Sequence, residues 1–281
     1  MADRDLPPIL RGKNHEARSA FTPESLLREA RRQKATAPIP VPDICLLDPD
    51  GDIVRRLKAE GRAERHGEWV CYHTDLYVFE EDGLTFGVIG CAVGSSFAVL
   101  VAEELFASGC QLLISITSSG QIREVQSPPY FILVDRALRD EGTSYHYLPP
   151  SDYSDAPAFL LESLEGAFDD VDVKVLCGAT WTTDAPFRET NQAIEAMRER
   201  GLLAVEMESA ALYAFAQARD KAVICFAHVT NQMGQIDGDF EKGEADGTTD
   251  ALKILVATAR RLSRNHVASH SSETHLDDST R

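Results

Sequence analysis

The chain has no apolar run near the roughly 18 residues that a membrane span needs. Its start, MADRDLPPILRGKNHEARSAF, holds no apolar stretch of signal-peptide length. A spanning helix and a secretory leader are not expected, and the cytoplasm is the expected compartment. The six cysteines (Cys45, Cys71, Cys91, Cys110, Cys177 and Cys225) form no CxxC pair and lack metal-ligand spacing; most lie in apolar, strand-like runs. The expectation is buried reduced thiols and no metal centre. Neither GxGxxG after the first strand nor GxxxxGK[ST] occurs, which excludes the standard dinucleotide and triphosphate loops. Positive charge is scarce: 28 Lys and Arg stand against 45 Asp and Glu, a formal net charge of -17. Such a chain repels phosphate backbones and anionic membrane surfaces. Nucleic acid polymers and membranes are therefore not expected as partners, whereas a small ligand can be held by a local site.

What is present is an alternating pattern. At 281 residues the chain can form one large α/β domain or two small ones. Residues 1–40 read as a polar arm and a helix. In the helix Thr22 caps, Pro23 occupies the first turn and basic residues gather towards Lys34. Within 41–262, strands are expected at 44–47, 75–79, 84–89, 111–116, 130–134, 171–177 and 223–229. Helices are expected at 52–60, 97–107, 156–168, 187–200, 206–218 and 248–262. No linker interrupts this stretch, so it reads as one domain around a parallel or mixed sheet covered on both faces. Residues 263–281 lack apolar periodicity and read as a disordered tail.

Ligands of open α/β sheets bind beyond the carboxyl ends of strands, and four strand ends carry unusual polar content. Gly94-Ser95-Ser96 precedes a helix, and Thr117-Ser118-Ser119-Gly120 follows an apolar strand. Small hydroxyl residues beside glycine let backbone N–H groups approach an anion or a sugar; each segment alone also reads as an ordinary loop or cap. Glu206-Met207-Glu208 places two carboxylates between an apolar strand and an apolar helix. Acidic residues pair with a helix N-terminus, but a carboxylate can also accept hydrogen bonds from two vicinal hydroxyls, as a ribose offers. Asn231-Gln232-Met233 ends the last strand, where side-chain amides suit either a nucleobase edge or a turn.

Six segments in this order resemble the nucleoside phosphorylase superfamily over residues from about 40 to 262: AVGSSFAVLVAEEL, LISITSSGQI, RDEGTSYHYLPPSDY, ATWTTDAPFRET, VEMESAALYAFA and VTNQM. The resemblance implies a single-domain three-layer α/β sandwich around a large twisted mixed β-sheet. It implies an enzyme that cleaves the N-glycosidic bond of a nucleoside and works as a dimer or a larger homo-oligomer, with His146 or the N-terminal arm as a donor to a neighbour. It also implies roles: Glu208 holds the ribose hydroxyls with Met207 against the sugar and Glu206 nearby, Phe187 stacks on the base, and Asn231 faces it. Ser95, Ser118 and Ser119 line the nucleophile side.

The sequence departs from the phosphorylase pattern where phosphate-binding arginines are expected. Ser115 stands at one such position, Gly51 falls near another in the turn Leu47-Asp48-Pro49-Asp50-Gly51-Asp52, and Arg65-His66-Gly67-Glu68 leaves the third ambiguous. Exchanging arginines for neutral or acidic groups weakens the binding of a doubly charged anion in a partly buried site. The nucleosidase branch also lacks those arginines and positions water with an acidic group near the first turn, a role open to Asp50 or Asp52 here. The expectation leans to hydrolysis without a cofactor. Phosphorolysis, with phosphate as co-substrate and Arg123 or Arg188 as substitute ligands, is the alternative, and a non-catalytic nucleoside-binding protein is the third reading. The identity of the base stays open.

Overall fold

The structure, a computed structural model, describes the backbone of residues 6–233 and 237–273, with side chains through residue 263. Helix α1 (Pro23–Lys34) starts as its sequence dictates. Thr22 Oγ accepts from Ser25 N at 3.2 Å, Pro23 occupies the first turn, and Ala35 closes it in the left-handed conformation.

One ten-stranded mixed sheet organises the rest. β1 (Ile44–Asp48) runs parallel to β4 (Leu84–Gly90) and to β5 (Leu112–Gln121), and β5 runs parallel to β10 (Ala222–Asn231). The carboxyl ends of these strands therefore lie at one edge. β2 (Ala63–Arg65) and β3 (Tyr77–Glu81) extend the sheet antiparallel beyond β4. On the other side β10 pairs with β6 (Tyr130–Asp140), β6 with β8 (Val175–Thr183), β8 with β9 (Ala204–Glu206), and β9 returns to β5. That closes a small barrel, which removes free edges; β7 (Tyr153–Asp155) pairs with β6 on its outside.

Strands buried along nearly their whole length need cover on both faces, and β5 and β10 are such strands. Helices α1, α3 (Ser95–Ala107), α4 (Ser144–Tyr147) and α7 (Ser209–Arg219) pack together as one group. Helices α2 (Asp52–Ala59), α5 (Ala158–Ser163) and α8 (Thr248–Glu273) form the other. α6 (Asn191–Glu199) lies over a satellite cluster with Ile194, Trp181 and Val205. Among the described residues no helix is long and apolar enough to cross a membrane.

The structure differs from the sequence reading in several places. β5 runs on through Thr117–Gly120, because β10 and β9 pair with that segment and satisfy its backbone. Strand β8 begins at Val175, four residues later than expected, and α5 is a short helix. The expected helix at 187–200 divides into a 3-10 turn at Pro186–Arg188 and α6, capped by Thr190. The backbone of α8 stays helical to Glu273, within the stretch read as a tail. All six cysteines are free, as expected, but Cys91 and Cys177 are exposed rather than buried.

α7 is buried from Ser209 to Ala216, and Tyr213 fixes it. Its buried hydroxyl donates to Val134 O at 2.6 Å and accepts from Cys225 N at 3.0 Å, joining the helix to β6 and β10. Tyr213→Phe leaves a buried carbonyl and a buried N–H without partners, and is expected to lower unfolding free energy by about 1–3 kcal/mol. A urea midpoint equal to that of the parent chain rules out this role.

Candidate active site

The polar strand ends meet around one carboxylate. Glu208 lies between β9 and α7 and is buried. Its Oε1 accepts from Gly94 N at 2.7 Å and its Oε2 from Thr117 Oγ at 2.9 Å, with a longer contact from Met207 N at 3.3 Å. Gly94 can aim its N–H this way because its φ of 91° is costly for a residue with a Cβ. Burial, then the charges of Glu206 and Asp50, push the Glu208 carboxyl up to about 8. A carboxylate offers about four acceptor positions, so with three donors already on it Glu208 retains room for one ligand hydroxyl.

Glu206 is held within the protein. Its Oε1 accepts from Thr180 Oγ and Thr182 Oγ on β8; its Oε2 accepts from Glu208 N and Ser209 N, each at 2.7 Å. All four acceptor positions are filled, and Glu206 serves as the anchor of the α7 N-terminus. Ser95 also has a partner within the protein. It is fully buried, and its hydroxyl donates to Met207 O at 2.8 Å, tying the start of α3 to the Glu206–Glu208 link.

Asp50 stands across β5 from Glu208. Its Oδ2 accepts from Ser118 N at 2.7 Å. The turn that presents it is built by Asp48, whose buried carboxylate accepts from Gly51 N at 3.1 Å and Val54 N at 2.9 Å. Burial pushes the Asp48 carboxyl up to about 7. Asp52, the other acidic residue considered for holding water, is taken up by cations: it pairs with Arg55 at 2.6 Å and with Lys242. Despite its partial burial, Lys242 and Arg55 hold its carboxyl below the usual range. Arg55 also donates to Asp50 O at 2.8 Å, which steadies the turn.

Side chains at Ser115, Thr117 and Ser119 share one face of β5 by the strand's period of two. Among the described residues the buried Ser115 and Ser119 hydroxyls have no hydrogen-bond partner, so both can serve a ligand. In register Ser115 sits between Leu47 of β1 and Cys225 of β10, neither of them cationic. Ser118 contributes its backbone N–H to Asp50, and its side chain is partly exposed. Arg123 lies near Gly201, beyond the end of β9 opposite Glu206, and Arg188 is exposed on the 3-10 turn.

At the end of β10, Asn231 forms a local turn. Its Oδ1 accepts from Met233 N at 2.9 Å, and its Nδ2 donates to Thr230 Oγ at 3.1 Å. Nδ2 also reaches Ser119 O at 3.5 Å, so one lone pair of the amide oxygen remains. Met207 is partly buried beside Glu208. Phe187 is 98% exposed. His146 meets Lys13 of the N-terminal arm at 2.9 Å. Two cavities, of about 820 and 620 Å³, lie between α1, α3 and α7 and between α2 and α8, and neither is lined by Glu208, Asp50 or Asn231.

Sequence reading missed Thr117 as the partner of Glu208, Thr180 and Thr182 as partners of Glu206, and Lys242 as the partner of Asp52. The alternating hydroxyls of Thr180 and Thr182 in an apolar strand were the available signal for that pair. Lys242 carried none.

The phosphorylase superfamily model matches residues 43–262. The chain belongs to that superfamily. Relatives include the guanosine phosphorylase of Halorubrum lacusprofundi, 27% identical over 188 residues that cover 66% of this chain and 77% of the relative. The DeoD-type purine nucleoside phosphorylase of Bacillus subtilis is 29% identical over 210 residues, covering 72% of this chain and 88% of the relative. Among solved structures, the uridine phosphorylase of Vibrio fischeri aligns with a TM-score of 0.64 at 20% identity, covering 83% of this chain and 94% of that one. The purine nucleoside phosphorylase of Toxoplasma gondii, in complex with immucillin-H, aligns with a TM-score of 0.67 at 16% identity, covering 81% and 93%. As a superfamily member the chain shares the mixed α/β fold of these structures, with the segments around Gly94, Thr117, Glu208 and Asn231 all inside the matched range.

Proposed function

We propose that this enzyme cleaves the N-glycosidic bond of a nucleoside and that water is the nucleophile. The observation that carries the reading is the pair of carboxylates on either side of β5. Glu208 keeps acceptor capacity for a sugar hydroxyl, and Asp50 occupies the strand-end N–H of Ser118, a donor that an external anion would otherwise use. As the base departs, the sugar gains oxocarbenium character. Positive charge then develops beside Glu208 and Asp50 and relieves their mutual repulsion, which is preorganised electrostatic stabilisation. A hydroxyl donated to Glu208 favours its ionised form and fixes the ring. Asp50, at 2.7 Å from Ser118 N, is placed to accept a proton from the attacking water. Asn231 can turn its amide hydrogen from the long Ser119 O contact to the leaving base. No metal or organic cofactor enters these steps, and the reading includes assembly into a dimer or larger homo-oligomer.

The names of the relatives favour a second reading, phosphorolysis, in which Ser115 and Ser119 would face phosphate. Uridine, inosine, guanosine and adenosine, each incubated with and without inorganic phosphate, separate the two. Hydrolysis predicts free ribose at a rate that phosphate does not raise. Ribose 1-phosphate formed only with phosphate refutes the choice of water, and no product or binding with any of the four refutes the nucleoside reading.

A further inference from the structure

The chain that follows β10 turns back on the strand it has just left. Glu241 N donates to Thr230 O at 2.7 Å, and Gln232 N donates to Asp239 Oδ1 at 2.8 Å. These two bonds bring residues 239–241 alongside residues 230–232, which sets the Phe240 backbone close to Asn231. Phe240 is 67% exposed, a large apolar ring left in water on a backbone held from both sides. Just beyond it, Lys242 pairs with Asp52 in the turn that presents Asp50. Residues 239–242 thus bridge the strand end assigned to the base and the turn assigned to water.

We infer that Phe240 is the surface on which the nucleobase stacks while Asn231 engages its edge. The inference rests on the nucleoside reading above and deepens it. A base has two apolar faces and a polar rim. A ring beside an amide meets both needs, and an exposed ring gains most when a flat partner covers it. Phe187, the aromatic first expected in this role, sits on a 3-10 turn at 98% exposure with no comparable tether to Asn231. Phe240 also gives a physical reason for the Lys242–Asp52 pair: it holds the platform in place over the site.

Three full-length variants test this. Phe240→Ala is expected to raise KM about tenfold for whichever nucleoside is cleaved, with kcat changed less and the melting temperature unchanged, because the ring is exposed. Phe187→Ala is expected to change KM less than Phe240→Ala does. Phe240→Trp adds an exposed indole to a chain whose own Trp69 and Trp181 are 4% and 3% exposed, so quenching of its red-shifted emission by nucleoside reports stacking independently of turnover. Calorimetry on the parent chain with the same four nucleosides supplies the reference. Binding by the parent chain together with an unquenched Phe240→Trp signal and an unaltered KM for Phe240→Ala overturns the stacking role and leaves the nucleoside reading intact. No binding by the parent chain overturns that reading, and the stacking role with it.

Discussion

Glu208→Gln is expected to lower nucleoside turnover about 100- to 1,000-fold, the scale of removing one preorganised charged contact to a transition state. Glutamine keeps the shape and one acceptor oxygen, but it loses the charge and places an NH₂ group where Gly94 N or Thr117 Oγ now donates. The same variant carries a signature in stability. In the folded chain burial pushes the Glu208 carboxyl up to about 8, well above the ordinary 4.5 of a free glutamate. The folded state therefore binds the proton more tightly than the unfolded state. The contribution of Glu208 is fully present below its unfolded value and is lost as pH rises through the folded one, by about 1.4 kcal/mol per unit in the interval. Glutamine does not titrate, so between pH 5 and pH 8 the difference in stability should shift steadily in favour of the variant. Asp48, raised to about 7, acts in the same direction as Glu208, and His228, which burial and Lys242 push down to about 4, acts in the opposite one. Both groups are common to the two proteins and cancel in the comparison. Parallel curves of unfolding free energy against pH would show that Glu208 is not held in a raised state.

The second large effect is expected at Asp50. Asp50→Asn can keep the hydrogen bond from Ser118 N through its amide oxygen, while the turn stays closed by Asp48 and Arg55. What disappears is the group that accepts the proton from water. Hydrolytic turnover should fall about 100- to 10,000-fold with little change in melting temperature. Phosphorolysis predicts the contrary, because removing a carboxylate from the neighbourhood of a doubly charged anion improves its binding. A variant that turns over nucleoside as fast as its parent without phosphate, or faster with it, removes Asp50 from the mechanism.

Some of this site was legible before any coordinates. The cap at Thr22, the glycine turn before α3 and the strand-to-helix segment around Glu208 each follow from local rules of capping, φ and patterning. Hydroxyls at Thr117, Ser118 and Ser119 suggested a loop, yet they lie within β5, because the barrel offers that segment backbone partners on both sides. Glu206 and Glu208 look equivalent in sequence. They diverge only because β8 brings Thr180 and Thr182 to one and not to the other. Asp50 and Asp52 are a similar pair, separated by a lysine that comes 190 residues after Asp52.

The sequence by itself determined the alternating strand–helix architecture, the acidic character of the chain, and the set of polar strand ends inside the family match. These depend on periodicity, composition and short motifs, all of them local. Only the tertiary structure decided which carboxylates remain able to take a ligand. An acceptor's free capacity depends on donors that other strands deliver, and those donors lie far away along the chain.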